Sequence, residues 1–236
     1  MSTKQKVVVG LSGGVDSSVA AYLLKEQGYE VIGVTMQVWE PEEGGEEKLA
    51  VTDARKVADA LQIPYHVLNF YPEFQSHVMD YFVQEYIRGY TPNPCNACNR
   101  FVKWEALLKA AANLGVDYIA TGHYAMVRKL VNGRYSICNS VTASKDQTYA
   151  LYNLTQDQLA HTLMPVGAYE KAQIREMAEQ AGIPVADKKD SQDICFIPNG
   201  DYADFIRRST GKDFAPGNFV DVDGRVLGQH KGLVHY

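Results

Sequence analysis

The chain has 236 residues, 46% of them hydrophobic and 22% charged, which is the profile of a globular protein with one substantial domain and a small appendage. No apolar run approaches the ~20 residues of a membrane span and no leader-like segment opens the chain, so a cytoplasmic protein without membrane association is expected. The net charge of −5 excludes a general attraction to nucleic acid, and four cysteines in a reducing compartment favour catalysis or metal binding over a disulfide scaffold.

KVVVGL (6 to 11) is a short β-branched apolar run, which predicts a strand buried on both faces. VDSSVAAYLLKEQG then carries apolar residues at helical spacing and stops at Gly28. EVIGVTM (30 to 36) and PYHVLNF (64 to 70) predict two further strands, with a helix over LAVTDARKVADALQ between them. The acidic EPEEGGEEK (40 to 48) reads as a mobile surface loop. Strands alternating with helices predict an α/β fold, a doubly wound, mostly parallel sheet with ligands beyond the carboxyl ends of its strands.

Helical patterns resume at 72 to 89 and 101 to 115, separated by a loop, TPNPCNACNR (91 to 100), in which Cys95 and Cys98 stand three positions apart. DYIATGHYA (117 to 125) predicts another central strand, ending at Gly122-His123. Asn132-Gly133 marks a hairpin, and 169 to 182 a helix with a glycine stop. DSQDICFIP (190 to 198) is a polar loop entering an apolar run; a helix over DYADFIRRS and short strands around an Asp223-Gly224 turn follow.

The most informative stretch is VVVGLSGGVDSS (7 to 18), a strand, a Ser-Gly-Gly turn and a helix. Glycines let backbone N–H groups approach a ligand and the helix N-terminus adds positive potential, so phosphate is its natural occupant. It contains neither GK[ST] nor GxGxxG. The bland alternative is a turn in which Asp16 or Ser17 merely caps the helix. The basic pairs Arg100 and Lys103, Arg128 and Lys129, Lys188 and Lys189, and Arg207 and Arg208 read as solvated surface. His123 is read either as a base or phosphate contact or as a structural residue; Trp39 and Trp104 are read as packing residues, and Cys138 as a small buried hydrophobe. Asp190 and Asp193 either orient Cys195 or form a turn.

SGGVDSS resembles the pyrophosphate-binding loop of the N-type ATP pyrophosphatases. Met36 with Trp39, TPNPCNACNR, TGHYA, SKDQTYAL and DSQDICFIP narrow the resemblance to the tRNA-specific 2-thiouridylases, in order and over essentially the whole chain. The resemblance implies the adenine nucleotide alpha hydrolase-like (PP-loop) fold, with a catalytic domain over 1–200, an incomplete small central domain over 201–236 and no C-terminal β-barrel domain. It implies an ATP site formed by Gly10, Leu11, Ser12, Gly13, Gly14, Val15, Asp16 and Ser17, framed by Met36 and Gly122, with Asp16 as a Mg²⁺ contact. Asn93, Pro94 and Cys95 match the loop that meets the target base, and Lys145, Asp146 and Gln147 a tRNA-contacting segment.

The implied reaction adenylates the C2 oxygen of the wobble uridine in a tRNA anticodon loop, then displaces AMP with sulfur from a donor or sulfur-relay protein. Cys98 matches the nucleophile and Cys195 the persulfide carrier. Many relatives, however, carry Asp where this chain has Cys95. Three cysteines can ligate three irons of a 4Fe-4S cluster, so a cluster on Cys95, Cys98 and Cys195 and a persulfide on Cys195 both stay open as sulfur carriers. An adenylating pyrophosphatase acting on a small molecule, or a nucleotide-binding module without catalysis, would use the glycine loop but not the cysteines.

Overall fold

The computed structural model describes residues 4–38, 46–188 and 194–236. Its frame is a five-stranded, all-parallel sheet in the order β3-β2-β1-β4-β7. The strands are β1 (Lys6–Gly10), β2 (Glu30–Gln37), β3 (Tyr65–Asn69), β4 (Tyr118–Ala120) and β7 (Thr162–Leu163). The valine run of β1 is explained by its central position. Val7 and Val9 enter a core shared with helices α1 (Val15–Glu26), α2 (Glu46–Ala60) and α8 (Lys171–Gln180). Val8 enters the core on the opposite face, with Phe74, Val78, Trp104 and Leu107. A strand with period-two side chains and helices on both sides must be apolar at every position.

The second core is built by two long helical runs. One joins α3 (Tyr71–Phe74) and α4 (Asp80–Ile87) through a π-helical stretch at Gln75–Met79. The other starts at α5 (Pro94–Ala97), widens into a π-helix over Cys98–Ala106 and ends as α6 (Leu107–Asn113). The expected cysteine loop is therefore helical. Asn93 caps α5 by accepting a hydrogen bond from the Cys95 N–H at 3.0 Å, and Pro94 supplies a first-turn residue that needs no N–H partner. The proline and asparagine that suggested a loop are the start signal of a helix.

An antiparallel hairpin, β5 (Ala125–Lys129) and β6 (Tyr135–Asn139), turns at Asn132-Gly133 as expected. Cys138 lies on β6 opposite Met126 and is half-buried. The short α7 (Gln156–Ala160) and β7 had no legible signal, since two strand residues show no alternation. The start of the expected acidic loop lies outside the described residues, as do Trp39, Asp190 and Asp193; helix α2 has already begun at Glu46. After residue 200, α9 (Tyr202–Thr210) packs on α4 through Phe82, Tyr86, Ile197, Ile206 and Val234. The β8 (Gly217–Val220) and β9 (Val226–His230) hairpin follows. No described helix is long and apolar enough to cross a membrane.

Trp104 fixes the π-helical run to the sheet: it is fully buried, and its Nε1–H donates to Thr162 Oγ1 on β7 at 2.7 Å. Trp104→Ala is expected to cost about 3–5 kcal/mol of stability in urea unfolding, and Trp104→Phe markedly less.

Candidate active site

The sheet order places a switch point between β1 and β4, because the chain leaves β1 toward β2 on one side and returns to β4 on the other. The carboxyl ends of these strands open into a crevice. Gly10–Gly14 and Thr121–His123 meet there. The Gly122 backbone lies so close to the first turn of α1 that a methyl group on it would sit 2.5 Å from the Ser17 nitrogen. Gly13 adopts φ +70°, and a methyl group there would sit 2.5 Å from the Ala50 carbonyl oxygen. No side chain caps the N-terminus of α1 at Gly14, so neither Asp16 nor Ser17 plays the capping role the bland reading offered.

Ser17 Oγ instead accepts from the Ser12 N–H at 3.2 Å and donates to the Gly14 carbonyl at 3.1 Å, closing the turn on itself. Thr35 Oγ1 donates to the Leu11 carbonyl at 2.7 Å and accepts from the Tyr65 hydroxyl at 2.7 Å, tying the loop to β2 and β3. Met36 stands at the end of β2, its Cε 3.5 Å from where a Gly10 side chain would begin. Val15, the first residue of α1, is core. Gly10, the Ser-Gly-Gly turn, the first turn of α1, Met36 and Gly122 are thus brought together at one crevice, while Leu11 and Val15 belong to the core.

Two lysines join them that the sequence did not single out for the site. Lys171, first residue of α8, reaches both carboxylate oxygens of Asp16 at 2.7 and 2.9 Å, and the Tyr124 hydroxyl donates to the same carboxylate at 2.8 Å. Lys188 donates to the Gly13 carbonyl at 3.1 Å and pairs with Asp53 at 2.9 Å. Despite opposing desolvation, Lys188 and Lys56 hold the Asp53 carboxyl below its usual range. Lys188 therefore braces the glycine turn and is not the solvated residue its sequence context suggested, while Lys189 lies outside the described residues. Both lysines are separated from the turn by some 150 residues or more, and no local pattern marks them.

His123 is buried, with Nδ1 2.7 Å from Thr121 Oγ1 and its ring 5.4 Å from Trp104. Desolvation, reinforced by Lys103, holds it neutral, well below the ordinary histidine pKa. That favours the structural role over a phosphate contact, because a neutral buried ring cannot supply a cation.

Lys103 stands on the helical run that begins with the thiols. Cys95 and Cys98, three apart at the start of one helical run, share a face. Cys195 is presented by a turn closed from Ile197 N–H to the Ile194 carbonyl at 2.9 Å. Its neighbour Phe196 is held edge-on against Phe74 and Phe82, at 5.6 and 5.5 Å between ring centres. Desolvation raises the Cys98 thiol above its ordinary value. Desolvation and the Cys98 and Cys95 sulfurs push Cys195 up to about 12, against the pull of Lys103. Cys195 nevertheless keeps exposed surface. All three are free, and no group of three or more His, Cys, Asp or Glu side chains among the described residues is placed to hold a metal ion.

In the other expected RNA segment, Asp146 and Gln147 are engaged internally. Although burial opposes it, hydrogen bonds from Thr148 and Ser140 hold the Asp146 carboxyl below its usual range. Gln147 pairs with the Tyr124 backbone at 2.9 Å through both its main chain and Oε1. Lys145 closes an exposed 3₁₀ turn.

Comparison with known proteins agrees with this architecture. Residues 5–199 match the family model described as the tRNA methyl transferase HUP domain. The chain is 61% identical to the tRNA-specific 2-thiouridylase MnmA of Lachnoclostridium phytofermentans, covering 98% of this chain and 67% of that one. It is 57% identical to the protein of the same name from Clostridium kluyveri, with the same coverages. Among solved structures, the U34-tRNA thiolase NcsA from Methanococcus maripaludis with its [4Fe-4S] cluster shares the fold at TM-score 0.52 and 18% identity, over 87% of this chain and 67% of that one.

Gly122→Ala is expected to push the β4 end away from α1 and to weaken ATP binding at least tenfold in calorimetric titration. The Cys195 thiol, raised above its unfolded value, makes stability fall as pH rises from about 9 toward about 12, because the unfolded chain releases that proton first. Its alkylation by iodoacetamide in the free protein should keep accelerating beyond pH 9 without reaching a plateau.

Proposed function

This chain belongs to the tRNA-specific 2-thiouridylase family, and we propose that it uses ATP to exchange the C2 oxygen of the wobble uridine in a tRNA anticodon loop for sulfur. The observation that carries the reading is the Gly122 backbone set against the first turn of α1 behind a self-closed glycine turn, in a chain that also presents free thiols at Cys98 and Cys195.

In the first stage the uridine C2 oxygen attacks the α-phosphorus of ATP, the N3 proton is released and pyrophosphate leaves. The open N-terminus of α1 and the backbone amides of the turn draw the departing charge, and Lys171 and Lys188 flank it. Asp16 would hold Mg²⁺ with phosphate oxygens once Lys171 released its carboxylate to pair with the phosphates, and the ion would then neutralise charge on the leaving pyrophosphate. The adenylated oxygen is now a leaving group.

In the second stage the terminal sulfur of a Cys195 persulfide attacks C2 and AMP departs, leaving the base joined to Cys195 through a disulfide. The Cys98 thiolate attacks the Cys195 sulfur, forming a Cys98–Cys195 disulfide. The base keeps the outer sulfur with its electron pair and regains a proton. A thiol reductant supplies the two electrons that restore the pair, and a sulfur-relay protein supplies the next persulfide sulfur. Two thiols suffice for this route: Cys98 and Cys195 are both free and close enough to act on each other, so Cys95 takes no part in it. ATP and tRNA as substrates put the reaction in the cytoplasm. Residues 1–200 carry the chemistry, with Asn93, Pro94 and Lys145 toward the RNA, and the segment from 201 opens a further small domain.

Cys98→Ser is expected to abolish 2-thiouridine formation while leaving tRNA-dependent release of AMP and pyrophosphate, and Cys195→Ser to eliminate the extra sulfur seen on this cysteine by peptide mass spectrometry. Protein purified without oxygen should carry negligible iron. Turnover that needs no tRNA and survives Cys98→Ser would assign the chain to small-molecule adenylation.

A further inference from the structure

Beside the thiol-bearing helix, a cleft of about 500 Å³ opens between α4 and the start of α5. Its rim carries three exposed tyrosines: Tyr81 is 41% exposed, Tyr90 64% and Tyr152 68%. On its lining, Phe101 stacks on His77 at 4.5 Å and an interplanar angle of 19°, and the Arg100 guanidinium lies 4.8 Å from the Phe101 ring. Asn96 also lines the cleft and has a buried side-chain oxygen with no hydrogen-bond partner. An acceptor in that state is costly until a ligand or a small rearrangement satisfies it.

We propose that this cleft binds an unstacked nucleobase adjacent to the target uridine, holding it between tyrosine rings while an asparagine side chain reads its edge. The inference rests on the thiolation reading and deepens it. Extruding one base from an anticodon loop removes a stacking partner from each neighbour, so a neighbour needs a new aromatic surface. The cleft is continuous with the chemistry: Asn93, which lines it, also caps the helix that carries Cys95 and Cys98. On its other side Tyr152 and Asn153 follow closely on the Lys145–Gln147 segment. Its charge suits a base better than a row of phosphates, because Glu85 within the cleft is paired with Arg88 at 3.0 Å and Arg100 is the one guanidinium on the lining. Aromatic rings, amides and one guanidinium are the set that recognises a single-stranded base.

The test uses anticodon stem–loop RNAs carrying the fluorescent base 2-aminopurine either just before or just after the target uridine. Binding to the wild-type chain should quench one of the two probes. Tyr90→Ala and Tyr152→Ala should remove that quenching and raise Kd about 5- to 100-fold, while Tyr→Phe at either position keeps both signals and ATP binding stays unchanged in all four. An abasic residue at the quenched position should weaken binding to the wild type and not further weaken binding to the Tyr→Ala variants. Strictly additive losses, or quenching indifferent to the tyrosines, would overturn the cleft assignment while leaving the thiolation reading intact. Loss of sulfur transfer from a relay protein with RNA binding untouched would assign the cleft to that protein instead. Failure of the wild-type chain to bind the RNA at all would overturn both.

Discussion

The backbone of Gly122 against the first turn of α1 is the contact on which the site depends. It joins the two strands that flank the switch point, and it is too close to admit even one methyl group. With β4 held there, the crevice between β1 and β4 keeps a fixed width, and the N-terminus of α1 faces it uncapped. The rest of the nucleotide site is scaffolding for that arrangement. Thr35 and Tyr65 tether the turn from the sheet side, and Lys188 steadies it from beyond α8. Lys171 keeps the Asp16 carboxylate oriented while the crevice is open.

The sequence was most legible where chemistry is local. A run of three valines announces a central strand because both faces of such a strand are covered. The Ser-Gly-Gly turn announces an anion site because few other functions need backbone so bare. Legibility failed where the cause is distant. Lys171 and Lys188 look like any surface lysines until the fold carries them to the turn. Strand β7 is defined by pairing with β4 and not by its own two residues. The cysteine segment was misread for a different reason: Asn-Pro signals a break in the chain, and the break turned out to be the cap of a helix.

The two halves of the site are prepared differently. The phosphate side is polar, with its charges paired. On the thiol side desolvation raises both Cys98 and Cys195, although Cys195 keeps exposed surface. Lys103, half-buried on the same helical run as Cys98, opposes the rise of both thiols and reinforces the fall at His123. A thiol kept protonated is a poor nucleophile and a poor target for oxidants.

The π-helical stretch over Cys98–Ala106 sets the angular phase between the thiols at one end of the run and Val102, Trp104 and Leu107 in the core. An α-helix advances about 100° per residue. Removing one residue from the wide turns would therefore swing the cysteine face by roughly that angle while the core residues stayed anchored. Chain length in this stretch is under tighter constraint than residue identity: a conservative exchange at an exposed position alters one contact, but a single deletion would turn the sulfur atoms away from the crevice altogether.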